Sequence, residues 1–530
     1  MKYILENIEV KTPGEFIYYA RKGYMYIYIP YGQIWDVYQS LIKLKDENEV
    51  LTDHYYNLIF RYYYDWNIKI PLEQFKEEVR SFINHKSPLL RHLAALQLYQ
   101  DGKKEIAYQI SKELEKEKFP FAYSSLAYMA AKDENNPKKA EKLYKKAAKK
   151  GVRNAYYNLA SIAVKRGDLK RYRKYITIGA QKDSAVALHS LGIDLIKGEN
   201  GFEKDNSRGC DYVLKAARMG RDLAIRSIVL FTYEGIGFAK DYDICKQWAE
   251  YAYKRHIKDA GYYLGLLYLF GDGVEKNEEK AYLYFVEEYN TNHDDQSLTY
   301  VGMMLAFGKG VKQDLKTGLI YLKKRFVDGS RLAAEYYVKA LYHFAKDYVS
   351  AREAVEIACS RFPDDGYLAN LASELFYKDL GLGTDYEKVV KYGRIAYKHG
   401  YLTYGYANCY LFGYNVTKDT EYGIRLIREL IKEGKSDAAF ALLGIAYTFG
   451  WFGLQINYPE AIRLLNVVFE RNVNLESGQG VVYYTYGAIY MNYYKDRNKA
   501  KEFVEWAAKK YNYKPAIEAL ENWKNITYLK

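Results

Sequence analysis

Cysteine and histidine are the residues here whose chemistry depends most directly on spacing. The chain has four Cys and eight His in 530 residues, and none of them form a Cys-x-x-Cys, His-x-x-x-His or His-Glu-x-x-His pattern. These are the spacings that bring metal ligands together. We expect the cysteines, with Cys210 and Cys245 in equivalent positions, to be buried free thiols that pack as small hydrophobes. The sequence predicts no catalytic residue, no cofactor and no metal site.

Glycine-rich triplets are the second feature that could carry chemistry, because such loops can cradle a phosphate. Gly271-Asp272-Gly273 and Gly308-Lys309-Gly310 are the clearest examples. Each lies between two predicted helices, and neither extends to the Gly-x-Gly-x-x-Gly spacing of a phosphate loop. We therefore expect structural loops in which glycine adopts a positive φ and ends the preceding helix.

Positive charge is the one chemical feature that stands out. Residues 87–182 carry 22 Lys and Arg against 9 Asp and Glu, which equals the whole net charge of +13. Such a sector is either a solvated outer helix or a contact for an anionic partner, namely an acidic protein, nucleic acid or a membrane surface. Lysine dominance favours nonspecific attraction over base reading. The candidate contact residues are Lys138, Lys139, Lys142, Lys145, Lys146, Lys149, Lys150, Arg153, Arg171, Arg173 and Lys174.

The composition is that of a protein with a buried core. Hydrophobic residues make up 49% of the chain and charged residues 27%, which excludes wholesale disorder. No stretch approaches 18 apolar residues without a charge, so we expect no transmembrane segment. Acidic residues near the start do not fit a signal peptide, and the low cysteine content fits a reducing compartment. We therefore expect a cytoplasmic protein.

An internal repeat organises the chain. A small residue that follows a large apolar one recurs every 32 to 43 residues, with two exceptions at Val229 and Lys339. The spacing predicts twelve two-helix units over about 87–511, because the surrounding apolar positions recur on one helical face. The small residues are Ala94, Ala127, Ala160, Gly192, Gly265, Gly302, Ala372, Ala407, Gly444 and Gly487.

The second helix of a unit has a predictable start. Eleven units carry Asp or Asn at one slot, where the side-chain oxygen can accept a hydrogen bond from an unpaired backbone N–H. The residue four positions later, such as Cys210, is expected to face the first helix. The predicted N-caps are Asn136, Asp168, Asn206, Asp241, Asn277, Asp314, Asp347, Asp385, Asp419, Asn457 and Asp496.

These motifs resemble the Sel1-like repeat family, which is related to the tetratricopeptide repeats. The segment 260–293 is the best match, and the resemblance covers about 425 residues. It implies an all-α fold, a right-handed α-solenoid, that usually serves as a protein–protein scaffold. Units at 119–182 and 330–363 lack the loop glycines and are more similar to tetratricopeptide units. The matching residues are Ala260, Leu264, Gly265, Tyr268, Gly271, Gly273, Val274, Lys280 and Ala281.

Four segments follow from the repeat. Residues 1–86 are expected to form a non-repeat cap with a short strand or hairpin at Tyr24–Ile29, followed by helices over 33–45, 52–66 and 71–85. Residues 87–182 form basic tetratricopeptide-like repeats, 183–511 form Sel1-like repeats, and 512–530 form a C-terminal capping helix.

The function that these patterns favour is a non-enzymatic scaffold or adaptor. Stacked helix pairs would expose a long concave surface to a protein or peptide partner. Three alternatives stay open. They are nucleic-acid or anionic-surface binding through 87–182, a structural component of a larger assembly such as a phage or viral particle, and an enzymatic N-terminal module on a solenoid stalk.

Overall fold

Helices dominate the computed structural model, which describes residues 4–22, 24–28, 34–62, 72–434, 436–471 and 478–530. Within these ranges the chain forms 29 α-helices and two short strands, so the predicted all-α solenoid class is confirmed. The contacts divide the chain into two compact units. Unit 1 comprises residues 1–301 and 309–312, and unit 2 comprises 302–308 and 313–530.

The N-terminal region begins with a small β-α-β element. Strands β1 (Ile4–Glu9) and β2 (Tyr24–Tyr28) pair in parallel, and helix α1 (Pro13–Arg21) connects them. The predicted strand is confirmed over 24–28, but its partner is a parallel strand and the hairpin was wrong. The reason lies in Thr12 and Pro13, which cap and start α1 and so turn the connection into a crossover.

Three further helices complete this region, and each starts within three residues of its predicted start. They are α2 (Ile34–Leu44), α3 (Glu49–Tyr62) and α4 (Leu72–Ser81). Parts of the predicted elements lie outside the described residues, namely residues 29, 33, 63–66 and 71.

The N-terminal region packs directly on the first repeat. Its buried cluster extends from Val10 and Phe16 to Leu90 and Leu93 of the first repeat helix. The hydroxyl of Ser87 donates to Asp53, at 2.6 Å, while it also accepts from the backbone N–H of Leu90. One buried serine therefore caps the first repeat helix and ties the two regions together.

Twelve helix pairs follow, as the repeat predicted. The first helices are α5 (Pro88–Gln100), α7 (Pro120–Lys132), α9 (Asn154–Lys165), α11 (Ala185–Lys197), α13 (Asp222–Glu234), α15 (Ala260–Phe270), α17 (Asp295–Phe307), α19 (Arg331–Ala340), α21 (Gly366–Tyr377), α23 (Tyr404–Phe412), α25 (Asp437–Phe449) and α27 (Gln479–Ile489). The second helices are α6 (Lys104–Lys116), α8 (Pro137–Lys149), α10 (Leu169–Gln181), α12 (Asn206–Arg218), α14 (Tyr242–Lys254), α16 (Glu278–Asn292), α18 (Leu315–Val327), α20 (Tyr348–Arg361), α22 (Tyr386–Lys398), α24 (Thr420–Lys432), α26 (Tyr458–Glu470) and α28 (Arg497–Tyr511).

The predicted N-caps are confirmed except in one unit. Asp205, and not Asn206, accepts from the backbone N–H of Arg208 and starts α12. The inward position shifts with it, so Gly209 is buried against the first helix and Cys210 is only half-buried. Both Asp and Asn can cap a helix. With Asp205 as the cap, the residue four positions later is Gly209, which lies where the two helices cross.

Small residues allow the two helices of a pair to approach closely. A Cβ atom added at Gly192 would lie 2.8 Å from the backbone oxygen of Gly209, and one added at Gly318 would lie 2.5 Å from the backbone nitrogen of Ala306. Distances this short are not sterically possible, so glycine is required at both crossings. Many other units use alanine at the same positions, and these alanines are fully buried.

The second glycine of the loops touches the preceding helix pair. Gly273 has φ +64°, and an added Cβ would lie 2.7 Å from Cβ of Tyr242, the first residue of α14. Gly310 repeats this contact one unit later, where an added Cβ would lie 2.2 Å from the backbone of Glu278. The loops are therefore structural, as expected, and they fix how consecutive pairs stack within unit 1.

One first helix is capped by a neighbouring helix instead of by its own residue. Asp259 precedes α15 with φ +72° and makes no side-chain cap. The buried Glu288 of α16 accepts instead from the backbone N–H groups of Asp259, at 2.7 Å, and Gly261, at 2.9 Å. Burial raises the pKa of Glu288 above its ordinary value despite these hydrogen bonds.

A short segment closes the last pair. Helix α29 (Lys514–Glu521) packs on α28, and the chain then returns so that Leu529 is buried. The side chain of Asn492 pairs with the backbone of Leu529 in both directions, at 2.7 and 3.0 Å. Arg497 donates to the carbonyl of Ile526 and lies over the ring of Trp523.

The contact between Gly310 and Glu278 gives a direct test of the loop geometry. Gly310→Ala should lower stability by roughly 2–4 kcal/mol, because the substitution adds a clash with the backbone to the strain of a positive φ. Gly167→Ala is the matched control, since Gly167 also has a positive φ but meets nothing within 4 Å, and it should cost about 1 kcal/mol. Urea unfolding followed by circular dichroism measures both. Equal losses of stability in the two variants would contradict the close contact between Gly310 and Glu278.

The raised pKa of Glu288 predicts that this residue makes a pH-dependent contribution to the stability of the fold. Because its pKa is raised above the ordinary 4.5 in the folded chain, the folded state holds the proton more tightly, and the stability gained in this way is lost as the pH rises through the raised pKa. The unfolding midpoint of the natural protein relative to Glu288→Gln should therefore be highest below pH 4.5 and decline as the pH rises through the raised pKa. Glu279→Gln, at an exposed position of α16, is the control variant. A pH-independent difference for Glu288→Gln would refute this account.

Candidate anionic-partner interface

Helix α8 presents most of the predicted contact residues. Asn136 caps it by accepting from the N–H of Lys139, and Pro137 occupies its first turn. Its apolar side is buried, and the buried residues are Ala140, Leu143, Tyr144, Ala147 and Ala148. Local sequence thus fixes which side of α8 faces the core and which faces solvent.

A row of lysines covers the opposite side of α8. We call Lys138, Lys142, Lys145 and Lys149 the lysine stripe; their spacing of four, three and four residues puts them on one helical face. All four are exposed. At 1.5 Å rise per residue the stripe extends about 16 Å along the helix.

Carboxylates neutralise three of the eleven predicted residues. Lys139 pairs with Glu134 at 2.8 Å, and Arg171 pairs with Asp168 at 3.3 Å. Lys145 pairs with Glu141 at 2.7 Å, and this hydrogen bond holds the pKa of Glu141 below its ordinary value. Exposed pairs of this kind contribute little to stability, but they reduce the charge available to a partner.

Four more predicted residues serve the packing of the repeats. Arg153 donates to the carbonyl of Asp183 at 3.1 Å, and Arg173 donates to that of Gly201 at 2.8 Å, so both connect one helix pair to the next. Lys146 and Lys150 both lie over the ring of Tyr123, at 5.7 and 5.6 Å from its centroid. These residues were predicted from charge alone, and no local pattern in the chain indicates their structural contacts.

Four predicted residues keep an uncompensated charge. Lys138, Lys142, Lys149 and Lys174 form no ion pair with any residue in the described part of the chain. The first three belong to the lysine stripe, and Lys174 is exposed on α10, the second helix of the next pair. The candidate interface is therefore smaller than predicted and is centred on α8.

His189 and Ser227 form a pair that the sequence did not reveal, because 38 residues separate them. His189 Nε2 lies 2.9 Å from the Ser227 hydroxyl, between the first helices α11 and α13. The hydroxyl already donates to the carbonyl of Leu223, so it accepts from the imidazole. Burial lowers the pKa of His189 to about 4. The pair therefore joins two helices, and Ser227 is not oriented as an activated nucleophile.

The cysteines behave as packing residues. All four are free, and all except Cys210 are buried. Burial raises the pKa of the Cys245, Cys359 and Cys409 thiols to about 12 and that of Cys210 to about 11. A protonated thiol is a poor nucleophile and a poor metal ligand. The expectation of small, unreactive hydrophobes is confirmed for the three buried cysteines.

An open depression of about 770 Å³ lies in unit 2 beside the start of α24. Its polar groups already have local roles, since Asp419 caps α24 through the N–H of Tyr422. The lining residues are Arg394, Tyr410, Val416, Thr417, Lys418, Asp419, Thr420 and Glu421.

The described ranges contain neither a metal-binding cluster nor a membrane-spanning helix. In them, no three His, Cys, Asp or Glu side chains cluster closely enough to hold a metal ion. None of the helices in those ranges is both long and apolar enough to cross a membrane.

Comparison with known proteins agrees with this architecture. A search of curated proteins gives no match. A protective antigen of uropathogenic Escherichia coli strains that displays an SLR fold aligns with a TM-score of 0.63 and 19% identity, over 85% of this chain and 97% of that chain. A Sel1 repeat protein from Oxalobacter formigenes is 23% identical over 50% of this chain and 96% of its own, with a TM-score of 0.33.

Sequence motifs assign the family. The model of the Sel1 repeat matches seven segments, each of which overlaps a helix pair of the structure. They are residues 120–152, 185–220, 227–256, 259–286, 295–324, 403–434 and 439–466. The chain therefore contains seven Sel1 repeats.

Proposed function

We propose that this chain is a non-catalytic scaffold that binds a protein or peptide partner through side chains presented by consecutive helix pairs. One observation carries the proposal: small residues recur where the two helices of a pair cross, whereas the residues at the outer tip of the loops vary. The residue that follows the first loop glycine is at least partly exposed in six of the units, where it is Ile236, Asp272, Lys309, Leu382, Tyr414 or Trp451. Regularly stacked helix pairs that carry different exposed residues are suited to binding a partner over an extended surface.

The uncompensated lysines of α8 support a second function, binding of an anionic partner. Lys138, Lys142 and Lys149 lie on one face with no ion pair among the described residues, so their charge is available to a partner. An acidic protein segment fits the scaffold role, and nucleic acid or an anionic membrane surface would use the same attraction. We propose that the protein acts in the cytoplasm, where its four free thiols would persist.

Charge reversal tests the anionic function. The triple variant Lys138→Glu, Lys142→Glu, Lys149→Glu should weaken retention of poly-glutamate and of duplex DNA by more than tenfold at about 50 mM salt. Lys316→Glu, Lys323→Glu, Lys324→Glu is the control, because it makes the same change of net charge on the exposed side of α18. Fluorescence anisotropy with labelled probes measures both. Equal effects of the two triples would show that net charge, and not α8, governs binding.

Affinity purification tests the scaffold function itself. The full chain should recover the same protein partners with and without nuclease, because the proposed contacts are made to protein. Mass spectrometry identifies them, and the charge-reversed α8 variant shows whether they depend on the lysine stripe. Recovery of nucleic acid alone, in a salt-sensitive manner and with no nuclease-resistant protein, would contradict the scaffold proposal.

A further inference from the structure

Lysines at equivalent positions of α8 and α10 share one surface of unit 1. Lys138 and Lys142 lie two and six residues after the residue that caps α8. Lys170 and Lys174 lie at the same two positions of α10. Equivalent residues of consecutive helix pairs lie on the same side of a stack. We call these four lysines the lysine patch; all are exposed, and none forms an ion pair with a described residue.

The carboxylates in this part of the chain are already neutralised. Residues 134–182, all of which the structure describes, contain 15 Lys and Arg but only three Asp and Glu. Each of the three carboxylates is held in an ion pair, namely Glu134 with Lys139, Glu141 with Lys145 and Arg166, and Asp168 with Arg171. An anionic partner over the lysine patch therefore meets no uncompensated negative charge from the helices that carry the patch.

Acidic residues limit the lysine patch on both sides. The same two positions hold Glu105 and Gln109 in α6, the preceding second helix. They hold Ser207 and Asp211 in α12, the following one. Glu105 and Asp211 are exposed and form no ion pair with a described residue. The lysine patch is therefore confined to two helix pairs.

We infer that the lysine patch binds duplex nucleic acid through its phosphates and without reading its sequence, an inference that rests on the proposed anionic contact and names its partner. Duplex DNA carries one negative charge per about 1.7 Å of its length, whereas an extended acidic peptide carries at most one per about 3.3 Å. Contact with phosphates also releases counterions condensed on the duplex, which favours binding. Base reading uses Arg, Asn and Gln, and the patch consists of lysines only.

The exposed residues of α8 and α10 also distinguish a duplex from other polyanions. Proteins hold single-stranded nucleic acid by stacking its bases on aromatic rings. No aromatic residue of these two helices, which the structure describes in full, belongs to their exposed residues. Peripheral binding to a membrane combines basic with apolar side chains, whereas the exposed residues of α8 are Pro137 and lysines. Contact with the backbone of a duplex requires neither kind of side chain.

Binding of labelled probes to the full chain tests the choice of partner. Fluorescence anisotropy compares two DNA duplexes of unrelated sequence with polyglutamate, and flotation measures binding to phosphatidylserine vesicles. We expect the duplexes to bind about tenfold or more tightly than polyglutamate at about 50 mM salt, and to agree with each other within about threefold. We expect the vesicles not to bind.

The double variant Lys170→Gln, Lys174→Gln tests the part of the patch on α10. Loss of two phosphate contacts should weaken duplex binding by about tenfold or more and reduce the slope of log K against log salt by about two. Lys316→Gln, Lys324→Gln is the matched control, because both lysines are exposed on α18 and form no ion pair with a described residue. The control should leave the slope unchanged. Circular dichroism checks that both variants are folded.

Several results would overturn the inference. A smaller preference over polyglutamate would assign the patch to an acidic protein, and binding to vesicles would assign it to a membrane; both would leave the proposed anionic contact standing. A larger difference between the two duplexes would show that sequence is read. A change of slope in the α10 variant no greater than in the control would exclude α10 from the site. If none of the probes binds, the inference and the anionic contact both fail.

Discussion

Close approach between paired helices is the constraint on which the rest of this structure depends. At Gly192 and Gly209 the two backbones lie so near each other that no side chain fits between them, and alanine fills the same role in other pairs. Without that approach, one pair could not present a continuous apolar side to the next, and the stack would lose its core. Loop glycines extend the same constraint between pairs, as the contact of Gly273 with Tyr242 shows.

The sequence predicted much of this frame because each part of it is local. A cap, a small residue and a loop glycine act within one or two turns, so their spacing is visible in the chain. Asn206 shows the limit: two adjacent residues can both cap, and only the buried Gly209 decides between them. The strand β1 was missed because its pairing with β2 depends on a crossover that no local pattern signals.

The candidate site could be predicted only in outline, for a related reason. Charge content identified the basic sector, but the availability of each charge depends on contacts distant in sequence. Arg173 meets a carbonyl 28 residues away, and Glu141 is shared between Lys145 and Arg166. The buried carboxylate of Glu288 and the pair of His189 with Ser227 likewise join separate helices. Polar groups inside the fold therefore serve assembly, and the proposed anionic contact uses exposed residues of the lysine stripe on α8.

Hydrogen–deuterium exchange on the complex with a purified partner tests most directly whether recognition is spread over successive helix pairs. The account predicts slower exchange at equivalent positions in several consecutive pairs, since each pair presents its own exposed side chains to one ligand. Slower exchange confined to a single pair, or to the N-terminal region before Ser87, would contradict it.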